Sequence, residues 1–91
     1  MDILKLREET WVRAFGYERN SEAEMPYSLS ETTLLCTKEE LEKIIDFLTK
    51  VHSDITEMKN VDGCHWHFRD YDPSWTKEQS DMIICSRGST Q

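Results

Sequence analysis

His65 and His67 are the residues whose types and spacing come closest to a chemical site in this chain. On a β-strand, residues two apart lie on one face, roughly 6.6–7 Å from each other along the chain. Two imidazoles so placed can begin a zinc site, but zinc asks for a third and usually a fourth protein ligand. Asp70, Asp72 and Cys85 are the nearest candidates in order, and none stands at a spacing that demands metal. The favoured reading is two imidazoles on a half-exposed sheet face, and no metal is assigned. A metal-binding module or small metal-dependent enzyme using His65 and His67 is the alternative. His52 falls in the C-terminal half of a helix and is expected at its partly exposed edge.

Asp70 and Asp72 could be read as paired carboxylates for acid–base work. Nothing places a second catalytic group beside them, and Asp before Pro73 is an ordinary turn choice. Cys36, Cys64 and Cys85 lie far apart with no CxxC spacing. An odd count without a dense cysteine pattern points to reduced thiols. Each sits in or beside an apolar run, where free Cys behaves as a small buried hydrophobe. No cationic pocket can be named that would hold any of them as a reactive thiolate. The glycines, Gly16, Gly63 and Gly88, are scattered, so there is no phosphate-cradling loop and no nucleophile elbow. No catalytic residue and no cofactor is expected, and the chain reads as a non-enzyme.

The composition sets the frame for these residues. With 91 residues and 10.8 kDa, one domain over residues 1–86 with a polar tail at 87–91 is expected. Hydrophobic residues make up 37% and charged residues 32%, so the core must be thin. Three each of Trp, Tyr and Phe nevertheless argue for a folded chain. Eleven basic against 18 acidic residues give a net charge of −7 and a pI near 4.8. That balance disfavours a nucleic-acid binder, which carries a basic stripe. No apolar run approaches the ~18 residues of a membrane span, and no apolar signal region opens the sequence, so a cytoplasmic location without membrane contact is expected.

One helix must position much of the rest. Thr37, Lys38, Glu39 and Glu40 spell a capping box, with Cys36 and Leu41 at the staple positions. From there Leu41, Ile44, Ile45, Leu48, Val51, Ile55 and Met58 recur at spacings of three and four, predicting a helix from about Lys38 to Met58 with one apolar stripe. Asn60 to Gly63 is its stop signal. Strand character is expected at Asp2–Arg7 and Thr10–Tyr17, joined by a bend at Glu8-Glu9, at Thr33–Cys36, and at Cys64–Arg69, where Trp66 and Phe68 alternate with His65, His67 and Arg69. A further strand is expected at Asp81–Ser86, whose unbroken apolar run suggests a central strand buried on both faces. Glu18–Ser30 reads as an acidic loop, and Asp70–Ser74 as a turn. The resulting order, β-β-β-α-β-β, predicts an α+β two-layer sandwich: an antiparallel sheet of about five strands under one long helix.

One helix covers only one face of such a sheet. On the second strand Trp11, Phe15 and Tyr17 share a face with Arg13, and His65, His67 and Arg69 share a face on another. Aromatic, Arg and His residues gathered in this way have the composition of an interface core. A protein partner, a homodimer, or residues 18–30 folding back with Met25 and Tyr27 could cover that face.

The run Leu34–Leu41 leading into a long amphipathic helix, then His65-Trp66-His67-Phe68-Arg69-Asp70, then Ser80–Ile84, resembles the small immunity proteins of bacterial polymorphic toxin systems, over residues 30–86. The resemblance implies a single-domain α+β protein that blocks a toxin by direct binding, without catalysis. It marks His65, His67, Arg69 and Asp70 as contact residues. A negative chain suits a basic toxin, since complementary potentials steer association.

Overall fold

The computed structural model describes residues 11–88. It contains two compact units, Met1–Leu35 and Cys36–Gln91. The strand expected at Asp2–Arg7 and the bend at Glu8-Glu9 lie outside the described residues.

The first unit holds a short antiparallel ribbon. Strand β1 (Ala14–Gly16) pairs with β2 (Tyr27–Leu29), with Ala14 opposite Leu29, Phe15 opposite Ser28 and Gly16 opposite Tyr27. Leu29 lies directly over Gly16, where a Cβ would come 3.1 Å from its Cδ1. The expected loop at 18–30 therefore contains a strand. Its polar composition hid Tyr27-Ser28-Leu29, which is too short to show an alternation of its own. Within it, Asn20 adopts φ 60° in the turn closed by Ser21 N–H donating to Glu18 O at 3.1 Å. Asn tolerates that left-handed conformation better than most residues.

The second unit is built on α1 (Lys38–Glu57). The capping box is present in full: the Glu40 N–H donates to Thr37 Oγ1 at 3.1 Å, and the Thr37 N–H to Glu40 Oε1 at 2.7 Å. After the helix, Gly63 at φ 82° closes a turn in which the Cys64 N–H donates to Val61 O, a conformation that favours glycine. Strand β3 (His65–His67) then pairs antiparallel with β4 (Ile83–Cys85): His65 opposite Cys85, Trp66 opposite Ile84, His67 opposite Ile83. Bonds from Gly63 N to Ser86 O, Ser86 N to Cys64 O and Phe68 N to Met82 O extend the ladder at both ends. Between the strands runs one helical turn, α2 (Phe68–Tyr71).

The fold is thus α+β with one main helix, but among the described residues four strands form two two-stranded sheets and no five-stranded sandwich. Three expectations fail for local reasons. Residues 33–36 form no strand: Leu34 and Leu35 are exposed, and no described strand pairs with them. The alternation through Arg69 breaks at Phe68, where the chain turns helical. Of the apolar run at 82–85, Ile83–Cys85 form a strand that among the described residues pairs with β3 alone, with Ile83 exposed, and not a central strand buried on both faces.

Helix α1 is also rotated from the expected stripe. Phe47 and Val51 are buried, at 2% and 3% exposure, and Ile44, Asp54 and Ile55 are half-buried around them. Phe47 meets Phe68 edge-on, with ring centroids 5.4 Å apart, and Tyr71 at 5.8 Å. Phe47 itself lay outside the predicted stripe.

Candidate functional site

In the second unit, strand alternation sends Trp66 toward α1, where its Nε1–H donates to Asp54 Oδ2 at 3.1 Å. The opposite face of β3 and β4 carries His65, His67, Ile83 and Cys85. His65 is exposed. His67 Nδ1 lies 2.7 Å from Asp81 Oδ2, so the carboxylate fixes the ring with its proton on Nδ1. Asp81 Oδ1 accepts from the Arg69 backbone N–H at 3.0 Å, and Arg69 Nε stands 3.8 Å from Oδ2. Asp70, the last residue marked on this run, is exposed, 4.0 Å from Arg69 Nε.

Asp81 is the residue the sequence did not single out. It lies 14 and 12 positions from its two partners, and no local spacing announces it. Its geometry serves structure first: it satisfies an orphan donor in the first turn of α2 and ties the approach to β4 to the end of β3. Among the described residues, no three His, Cys, Asp or Glu side chains come together to hold a metal ion. Cys36, Cys64 and Cys85 are free thiols. Burial pushes the Cys85 thiol pKa up, with the Asp62 and Cys64 charges adding to it, the reverse of what a reactive thiolate requires.

Trp11, Phe15 and Tyr17 belong to the first unit, and of the three only Phe15 lies in a strand, β1, so the single aromatic and histidine face expected from the sequence is not formed by one sheet. The shared face of Arg13 and Phe15 is present: the Arg13 guanidinium stands 5.6 Å over the Phe15 ring and its Nη2 donates to Ser28 Oγ at 2.9 Å. Trp11 and Arg13 line an open cleft of about 320 Å³ that Leu29 and Glu31 close from the other strand and its extension. Tyr17 is exposed, its hydroxyl 3.5 Å from Glu24 O.

The rotation of α1 leaves a second apolar line uncovered. Leu41, Ile45 and Leu48 are 45%, 52% and 40% exposed, spaced by four and three along one ridge. At about 3.6 residues per turn, Glu42 and Asp46 flank this ridge on the side away from Phe47 and Val51. Two lysines of the helix are turned to other tasks. Lys43 Nζ donates to Ser74 Oγ at 3.1 Å and lies 3.8 Å from Asp72 Oδ1. Lys50 Nζ donates to Asp54 Oδ1 at 2.8 Å. No basic side chain among the described residues pairs with Glu42 or Asp46.

No family model, no curated protein and no solved structure matches this chain. No described helix is long and apolar enough to cross a membrane.

Proposed function

We propose that this chain is a non-catalytic protein-binding module, and that it acts as an immunity-type inhibitor that blocks a basic toxin by direct contact. The observation that carries the reading is the outward ridge of α1: three large aliphatic side chains in line on a well-capped helix, exposed beside carboxylates that no basic side chain among the described residues pairs with. Exposed apolar side chains in a row, rimmed by polar groups, mark interaction surfaces more often than they mark catalytic ones. The resemblance over residues 30–86 and the net charge of −7 add the toxin and its basic character.

Immunity proteins of the kind resembled are encoded beside their toxins, so the test is capture of the product of the adjacent gene by the purified chain at micromolar concentration, followed by toxicity of that product with and without the chain. Saturable binding with loss of toxicity supports the reading. A neighbour product that neither binds nor loses toxicity overturns it.

A further inference from the structure

We infer that the ridge Leu41–Ile45–Leu48 of α1 is the docking surface, and that its occupant is an apolar protein groove edged with Lys or Arg; this rests on the protein-binding reading above. The helix divides its apolar residues between two lines. Phe47 is spent on Phe68 and Tyr71 and Val51 is buried, while Leu41, Ile45 and Leu48 are exposed. A ridge at spacings of four and three is how an amphipathic helix presents itself to a groove.

The charges beside the ridge say which groove. Glu42 and Asp46 are exposed and unpaired among the described residues, whereas Lys43 is held at Asp72 and Ser74 and Lys50 at Asp54. The flank is therefore negative on balance, two carboxylates against Lys38, which stands one turn before Glu42. A second copy meets it poorly. An antiparallel pairing about Ile45 would bring Glu42 and Asp46 of both copies to one seam, with −7 on each chain. An anionic membrane is opposed for the same reason. A groove with cationic edges satisfies both the apolar line and the carboxylates, and its attraction is screened by salt.

The experiment uses the full chain with labelled methyl groups and, as probe, a synthetic amphipathic helix made of leucine and lysine only. Shifts confined to the Leu41, Ile45 and Leu48 methyls are expected. Ile45→Ser should weaken binding about tenfold, the loss typical of a central interface aliphatic. Glu42→Gln with Asp46→Asn should flatten the salt dependence. These side chains are exposed, so unchanged helical circular dichroism verifies the fold of each variant. Shifts mapping elsewhere, or Ile45→Ser binding as tightly as the native chain, overturn the ridge. So does a concentration-dependent dimer, or binding to anionic vesicles, that Ile45→Ser abolishes. The two readings also fail separately with the captured neighbour product: capture unaffected by Ile45→Ser removes the ridge alone, whereas no capture removes the binding-module reading.

Discussion

The indole N–H of Trp66 donates to Oδ2 of Asp54 at 3.1 Å, joining β3 to α1 by a side-chain hydrogen bond. Lys50 holds the other oxygen of the same carboxylate at 2.8 Å, and these bonds keep the Asp54 pKa below the usual carboxylate range, the Lys50 bond most strongly. Asp54→Ala leaves a half-buried indole donor without its acceptor, which costs about 1–2 kcal/mol. Asp54→Asn keeps an acceptor and should cost less. A urea-unfolding cycle with Trp66→Phe should return a coupling near ~1 kcal/mol, and additive variants would show that the bond contributes nothing.

Phe47 is the most deeply buried large side chain described, and it is the residue against which Phe68 and Tyr71 pack. Phe47→Ala should cost about 3–5 kcal/mol, from lost burial and from the cavity left behind. That is comparable with the whole stability of many domains this small. The expected outcome is loss of cooperative thermal unfolding by circular dichroism, with Phe47→Leu retaining it. Ile45→Ala, on the same helix but on the exposed ridge, should stay within about 0.5 kcal/mol of the native chain.

Thr37→Ala removes one half of the capping box while leaving Glu40 in place. A loss of about 1 kcal/mol in urea is expected. Thr37→Asp should restore most of it, since Asp supplies the same acceptor and suits the positive end of the helix.

Asp72 is 7% exposed and tied to two elements. The Ser74 hydroxyl donates to its Oδ1 at 2.7 Å and the Ser74 N–H at 3.0 Å, with the Lys43 ammonium 3.8 Å away. Those bonds to Ser74, then the Lys43 charge, hold its pKa below the usual carboxylate range. A depressed folded pKa contributes stability that is present above the ordinary aspartate value, about 3.9, and is lost as pH falls through the lower folded value. The urea midpoint of the native chain should therefore drop below about pH 4 more steeply than that of Asp72→Asn. The gap between the two should narrow as acid is added. Ser74→Ala should narrow it at neutral pH more than Lys43→Met does; the opposite ranking would place the dominant stabilisation on the ammonium.

The helix with its capping box and the alternation His65-Trp66-His67 were legible in the sequence because each is written in neighbouring residues. The rotation of α1 was not. The predicted stripe took in Ile44, Val51 and Ile55, which are buried or half-buried, together with Leu41, Ile45 and Leu48, which are exposed. Phe47 fits helical spacing with Ile44 and Val51 equally well. The choice between the two sets is made by Phe68 and Tyr71, which need a ring to pack on, and the bulk of Phe47 was the one clue. The clamp of Lys43 on Ser74 spans 31 positions, and the bond from Asp81 to His67 spans 14. Pairings that long depend on the ordering of the chain between them, so no spacing rule reaches them. The two short ribbons were read as one sheet because β-pattern names strands without naming their partners.

The bond between His67 and Asp81 is also where the metal alternative meets its test. A carboxylate that fixes Nδ1 and leaves Nε2 outward is how metal-binding histidines are commonly oriented. Here the same carboxylate also accepts the Arg69 backbone N–H, a task that needs no metal. If the role is structural, Asp81→Ala should lower stability by about 1–3 kcal/mol, because the Arg69 N–H and the His67 ring lose their acceptor together. His65→Ala, whose side chain is exposed, should leave stability unchanged. Zinc added to the native chain should not move its melting temperature, since only a ligand that binds the folded state stabilises it. A rise with zinc that His65→Ala and His67→Ala each abolish would reverse that assignment and make the outer face of β3 a metal site. Equal stability of Asp81→Ala and the native chain would show that the carboxylate is not holding α2 in place.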